Sequence, residues 1–130
     1  MAKILIVDDE DSVRSVLKDV LDDNGHDIYE AGDGKEAYKI FNDNPIDLII
    51  TDLIMPEKNG IDLIMELKQQ HPDLKILAIS GGGGITGRFD YLPIAKLVGA
   101  NIVINKPFNI GEIRAKVIEL LTQATGNTAA

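Results

Sequence analysis

Ile46–Pro56 reads IDLIITDLIMP, and this stretch decides how the rest of the chain is interpreted. Its apolar run Leu48–Ile50 is typical of a buried strand, and Asp52 stands at the end of that run. Aspartate is a poor strand former and is almost never fully buried unless it is paired. A carboxylate at the end of a buried strand therefore needs a functional reason. We predict that Asp52 is a nucleophile that accepts a phosphoryl group.

The composition is that of one ordinary globular domain. The 130 residues are 45% hydrophobic and 26% charged, which allows one buried core. There is no Cys, which excludes disulfides and thiolate metal sites. The net charge of −8 argues against direct nucleic-acid binding. No apolar run approaches the roughly 20 residues of a membrane span, and the N-terminus does not resemble a signal peptide, so we expect a cytoplasmic protein.

Short apolar runs alternate with amphipathic segments along the whole chain. The runs predict five strands, over Lys3–Val7, His26–Glu30, Asp47–Thr51, Leu74–Ser80 and Ile102–Ile104. Helical spacing predicts a helix after each strand, with the fourth over Asp90–Val98 and the fifth over Ile110–Leu121. This alternation predicts an α/β fold with a doubly wound parallel sheet over residues 1–122, and we expect residues 123–130 to form a frayed tail.

The carboxyl ends of four predicted strands carry polar side chains, where ligands of parallel α/β sheets bind. They are Asp8 and Asp9, Asp52, Ser80 and Lys106. Three carboxylates packed together repel one another unless a cation joins them, and Mg²⁺ prefers such hard oxygen ligands. The Mg²⁺ ion and the ammonium group of Lys106 would neutralise oxygens of a transferred phosphoryl group, and Ser80 could hydrogen-bond another.

These elements together resemble the receiver domain of two-component response regulators. Each is weak alone, but their order on the expected strand ends is specific, and the match runs from about Lys3 to Leu121. The matching elements are Val7–Glu10, Asp52 with Met55-Pro56, Gly60, Ser80, Gly99-Ala100 and Lys106–Phe108.

The resemblance implies a flavodoxin-like fold with strand order 2-1-3-4-5 and a phosphorylation-switched signalling module that is not an enzyme. Asp52 would receive a phosphoryl group from a sensor histidine kinase, a phosphotransfer protein or a small phosphodonor. Ser80 and Lys106 would contact that group. The signal would pass by protein–protein contact to an unknown target, from a monomer or from a dimer that forms on phosphorylation.

The resemblance also implies a ligand set for Mg²⁺. Asp9, Asp52 and the backbone carbonyl of Ile54 would bind the ion directly, and Asp8 would act through water. The alternative for Asp8 and Asp9 is a purely structural role, in which they only cap the first helix, where acidic side chains are favourable. Their combination with Asp52 and a strand-end lysine favours the metal site.

Three features depart from the family pattern. Val103 stands where the family usually has an aromatic residue of the conformational switch, and the glycine-rich loop Gly81–Gly87 looks longer than usual. Ile54 and Gly82 occupy the positions that often tune hydrolysis of the phosphoryl group, and neither has a side-chain group that could orient a water. We therefore expect slow self-dephosphorylation.

Two other functions stay open at this point. A degenerate receiver could bind a partner without phosphorylation; Val103 gives that alternative some support, but the intact acidic set and Lys106 oppose it. An Mg²⁺-dependent phosphatase could use Asp52 as nucleophile, but such hydrolases carry a general-acid aspartate where this chain has Ile54. The sequence leaves open whether the chain is a stand-alone regulator or an excised domain. His26 and His71 lie at predicted turns without an evident partner, and we interpret both as surface residues.

Overall fold

The computed structural model describes residues 2–22, 25–53, 60–80, 96–105 and 108–129, except for the side chains of residue 80 and residues 123–129. The strands are β1 (Lys3–Val7), β2 (Asp27–Ala31), β3 (Leu48–Asp52), β4 (Lys75–Ser80) and β5 (Ile102–Asn105). The helices are α1 (Asp11–Asp22), α2 (Gly34–Asp43), α3 (Gly60–Gln70) and the C-terminal helix (Ile110–Ala129). In these ranges no helix is both long and apolar enough to cross a membrane.

All five strands are parallel and form one sheet in the order β2-β1-β3-β4-β5. The predicted doubly wound sheet, including its strand order, is therefore confirmed. β1 and β3 are neighbours although a helix, a strand and a second helix separate them in sequence. The carboxyl ends of these two central strands lie side by side, with Val7 level with Thr51.

The strands are apolar throughout because both faces of the sheet are covered. One face packs against α2 and α3 in a cluster that includes Leu5, Ile49 and Leu67. The other face packs against α1 and the C-terminal helix in a cluster that includes Ile4 and Ile50. Residues next to each other in a strand thus enter opposite cores, as the alternation of side chains in a strand requires.

Several element boundaries differ from those predicted. β3 includes Asp52 rather than ending at Thr51, because the ladder continues: the Leu53 N–H donates to the Ile79 carbonyl at 3.1 Å. The C-terminal helix runs to Ala129, past the predicted end at Leu121. The division of the chain at residue 122 stays a prediction. Fraying of the terminal residues stays a prediction. The predicted fourth helix lies mostly outside the described residues. Its last three residues, 96–98, are described and are helical.

The start of α3 lies directly against the end of β3. A Cβ atom at Gly60 would lie 2.2 Å from the backbone oxygen of Asp52 and 2.7 Å from the Cα of Leu53. The Gly60 N–H donates to the Leu53 carbonyl at 2.9 Å, which holds the two segments together. Only glycine fits this contact between two backbones, because the neighbouring atoms belong to a central strand and cannot move aside.

We expect Gly60→Ala to lower the free energy of unfolding by about 3 kcal/mol, since the added methyl group meets backbone rather than a movable side chain. Urea denaturation measured by circular dichroism gives the value. Gly32→Ala is the matched control, because its Cβ would meet only side-chain atoms at 3.6 Å. That variant should stay within about 1 kcal/mol of the wild type, and an equal loss in both variants would contradict the backbone contact at Gly60.

Candidate functional site

Three carboxylates meet at the carboxyl ends of β1 and β3. One oxygen each from Asp8, Asp9 and Asp52 lies within 4.8 Å of the other two. Asp8 is 1% exposed and Asp52 is 6% exposed, whereas Asp9 is exposed. The structure therefore brings together the three acidic residues that the sequence singled out. Two of these carboxylates are buried in the body of the protein, and the third faces solvent.

Asp8 is held by hydrogen bonds at its backbone and at its side chain. Its N–H donates to the Ala31 carbonyl of β2 at 3.1 Å, which continues the pairing of β1 with β2. Its carboxylate oxygen Oδ1 accepts from the Glu10 N–H at 2.9 Å. Its carbonyl oxygen accepts from the guanidinium group of Arg14. These bonds leave the Asp8 carboxylate little conformational freedom.

Asp52 is positioned by the sheet itself. It is the last residue of β3 and is level with Ile79 of β4, whereas β1 ends one residue earlier, where Val7 is level with Thr51. Its backbone carbonyl accepts a hydrogen bond from the Thr51 hydroxyl at 2.8 Å. The close approach of Gly60 to that carbonyl adds a steric limit on the other side. The carboxylate thus projects from a backbone that is fixed by the ladder and by packing.

The donor set fits a hard divalent cation. All three groups offer carboxylate oxygens, and mutual repulsion at this spacing favours any ion that neutralises them. Mg²⁺ is typically bound by one or two carboxylates and keeps several waters, whereas Ca²⁺ takes six to eight oxygen ligands. The exposure of Asp9 leaves one side of the set open to solvent, which suits an ion that keeps waters. These residues can therefore hold Mg²⁺.

The other predicted site residues are described only in part. Ile54 and Lys106 lie outside the described residues. The backbone of Ser80 ends β4, level with Asn105, and the lysine follows Asn105 directly in the sequence. The strand ends that carry the predicted serine and lysine are thus neighbours, while the roles of both side chains stay predictions.

The predicted switch position is also described. Val103 is level with Ala78 of β4, is partly buried, and packs against the core formed with α2 and α3. It therefore fills core space. The glycine-rich loop, Gly82 included, lies outside the described residues.

The sequence analysis missed one residue that contacts this site, and it did not reveal the partners of the two histidines. Arg14 contacts the loop that carries the acidic pair, and the available signal was its spacing of three residues from Asp11 on α1. His71 is exposed, as predicted, and it packs edge-on against Phe41 with ring centroids 4.9 Å apart. His26 accepts a hydrogen bond at Nδ1 from the Ala2 N–H at 3.3 Å. Both histidines contact residues distant in sequence, which spacing along the chain does not reveal.

With the fold and the acidic cluster in place, the chain can be compared with known proteins. Residues 4–118 match the response regulator receiver domain family, which is nearly the whole chain. The protein therefore belongs to the receiver domain family of two-component response regulators. Receiver domains are generally signalling switches rather than enzymes, and they interact with histidine kinases or phosphotransfer proteins.

Individual relatives agree with this assignment. The transcriptional regulatory protein CpxR of Klebsiella pneumoniae is 35% identical over 131 aligned positions, which cover 95% of this chain and 51% of CpxR. The DNA-binding transcriptional regulator NtrC of Azospirillum brasilense is 33% identical and is covered over 25% of its length. This chain thus spans about half or less of these relatives. A receiver domain protein from Clostridium thermocellum superposes with a TM-score of 0.85 at 27% identity, covering 96% of this chain and 98% of that one.

We expect Asp9→Asn to raise the free energy of unfolding of the metal-free protein by about 0.5–1 kcal/mol, because it removes a charge that repels two neighbouring carboxylates. Urea denaturation in the presence of a chelator measures the change, which should shrink at high salt. In saturating Mg²⁺ the wild type should instead be more stable than Asp9→Asn. The wild type would gain about 2.7 kcal/mol at one hundred times its dissociation constant, and the variant would gain much less.

The matched control for this prediction is Asp19→Asn, which neutralises an exposed carboxylate of α1 outside the cluster. It should leave the response to Mg²⁺ at the wild-type level. If Asp9→Asn and Asp19→Asn respond alike to Mg²⁺, the acidic cluster is not the cation site.

Proposed function

We propose that this chain is a phosphorylation-switched receiver in which Asp52 accepts a phosphoryl group in the presence of Mg²⁺. The observation that supports the proposal is the meeting of Asp8, Asp9 and Asp52 at the carboxyl ends of the two central strands. Membership of the receiver domain family supports the same chemistry. The donor would be a sensor histidine kinase, a phosphotransfer protein or a small phosphodonor such as acetyl phosphate.

In the proposed reaction, a carboxylate oxygen of Asp52 forms a bond to phosphorus while the bond between phosphorus and the donor breaks. The donor atom, a histidine nitrogen or the acyl oxygen of acetyl phosphate, leaves with the electron pair of that bond. The product on the protein is an aspartyl phosphate, and no oxidation or reduction occurs. A carboxylate is a sufficient nucleophile for such a transfer when the charge of the phosphoryl group is neutralised.

The chain's own residues would supply position and charge. Asp9, Asp52 and the Ile54 carbonyl would hold Mg²⁺, with Asp8 acting through water, and the ion would neutralise charge on the phosphoryl oxygens. Lys106 would bind another of these oxygens, and Ser80 would hydrogen-bond a third. The rigid setting of Asp52 in β3 supports this role, because phosphoryl transfer depends mainly on positioning.

The phosphorylated domain would signal by protein–protein contact in the cytoplasm, without binding nucleic acid directly. The net charge of −8 supports the last point, since binding to a phosphate backbone needs an excess of basic groups. The target protein, or a second copy of the chain in a dimer formed on phosphorylation, would bind the segments around β5. Val103 would then transmit the change through aliphatic packing, because it fills core space there.

We expect incubation with acetyl phosphate and Mg²⁺ to add the mass of one phosphoryl group to the intact protein, and we expect a chelator to prevent it. Asp52→Ala should abolish the adduct, since it removes the nucleophile. Asp47→Asn, which neutralises an exposed carboxylate just before the other end of β3, is the matched control and should be phosphorylated normally. An adduct that persists in Asp52→Ala, or no adduct on the wild type, would refute the proposal. Phosphate release from simple phosphate esters by the wild type would instead support the alternative function, an Mg²⁺-dependent phosphatase that uses Asp52 as nucleophile.

We further expect the phosphoryl group to persist for minutes or longer at neutral pH, because Ile54 and Gly82 have no side-chain group that could orient a hydrolytic water. Intact-mass spectra taken over time after removal of the donor measure the decay. Ile54→Asn, which introduces an amide two residues after Asp52 in the sequence, should shorten the lifetime several-fold. Decay of the wild type within a few seconds would contradict this expectation.

A further inference from the structure

Arg14 joins three segments around the acidic cluster. Its Nη1 donates to the backbone carbonyl of Asp8, its Nη2 donates to the carboxylate of Asp11, and its Nε donates to Glu30 Oε1 at 3.3 Å. The side chain is 17% exposed, although it belongs to a surface helix. The guanidinium fork thus ties the loop after β1 to α1 and to the end of β2. Nothing in the proposed chemistry uses this residue directly.

The bond to the Asp8 carbonyl acts on Asp9. The carbonyl carbon of Asp8 and the nitrogen of Asp9 belong to one planar peptide group, so a bond that fixes the carbonyl also fixes the start of Asp9. Asp8 has further restraints, from Ala31 and from Glu10. Asp9 is exposed, so packing cannot orient it. The direction of its carboxylate therefore depends on the peptide group that Arg14 holds.

We propose that Arg14 is a positioning residue for the cation site: it holds the Asp8–Asp9 peptide group so that the Asp9 carboxylate points toward Asp8 and Asp52. The proposal rests on the proposed function only in that these three carboxylates bind Mg²⁺. Glu30 is the anchor at the far side of the guanidinium group, and it is itself part of β2. Partners that orient metal ligands in this way typically matter ten- to hundredfold for metal affinity.

The charge of Arg14 and its hydrogen-bond geometry have opposite expected effects on the affinity of the site for Mg²⁺. A guanidinium group close to a cation site repels the cation, so a purely electrostatic role predicts tighter Mg²⁺ binding when the charge is removed. A positioning role predicts weaker binding even when the charge is kept. Arg14→Lys separates the two, because an ammonium group retains the charge but cannot reproduce the planar fork that contacts three acceptors.

The test is a titration of ¹⁵N-labelled protein with Mg²⁺ alone, followed by the amide shifts of residues 8–10 and 52–53 at a temperature where every variant is folded. We expect Arg14→Lys to raise the dissociation constant about tenfold. Lys18→Gln is the matched control, because Lys18 pairs with the same Glu30 at 3.9 Å from the next turn of α1, and no contact of it with the Asp8–Asp9 loop is described. It should change the constant by less than about twofold.

Glu30→Gln is a second variant for the case in which Arg14→Lys does not fold. It keeps Arg14 but weakens its anchor, and we expect a dissociation constant about threefold above that of the wild type, between those of the other two variants. If folded Arg14→Lys binds Mg²⁺ with the wild-type dissociation constant, the positioning role is wrong. The same holds if Lys18→Gln raises that constant as much as Arg14→Lys does. Either result would leave the metal site of the proposed function intact. If the wild type shows no Mg²⁺-dependent shifts at all, the metal site of the proposed function fails, and the positioning role fails with it.

Discussion

The parallel pairing of β1 with β3 is the constraint on which the rest of this structure depends. With Val7 level with Thr51, the next residue in each segment is an aspartate, Asp8 directly after β1 and Asp52 at the end of β3, and the two come side by side. A slip of one residue between the strands would exchange the faces on which the side chains of β3 lie. Leu48 and Ile50 would then leave the core that they share with α1 and the C-terminal helix. The hydrophobic packing therefore specifies the same register that brings the carboxylates together, so that the site is a consequence of the core.

Three neighbouring carboxylates repel one another, and the fold places each of them in a different environment. Asp8 is buried with hydrogen bonds to its carboxylate and to its backbone, and Asp52 is buried at the end of β3, where it pairs with β4. Asp9 is left at the surface, where Arg14 orders its backbone instead of its side chain. The exposed position of Asp9 leaves one side of the cluster open to a cation. A site with three buried carboxylates would be far more costly.

Much of the fold could be predicted because it is encoded locally. The five apolar runs and the helical spacing each act within a few residues of the chain. The cluster of Asp8, Asp9 and Asp52 followed from the rule that parallel strands present their carboxyl ends at one edge. Contacts between distant segments could not be predicted. The packing of His71 on Phe41 and the reach of Arg14 to Glu30 depend on tertiary geometry, and the exclusion of a side chain at Gly60 depends on the approach of two backbones.

The central claim is that Asp52, rather than another of the 21 acidic residues, carries the phosphoryl group. The most direct measurement is reduction of the phosphorylated protein with borohydride, which converts an aspartyl phosphate to homoserine, followed by peptide mass mapping. We expect homoserine at position 52 and aspartate at positions 8 and 9. Homoserine at another position, or a phosphorylated protein without any reducible acyl phosphate, would contradict the claim.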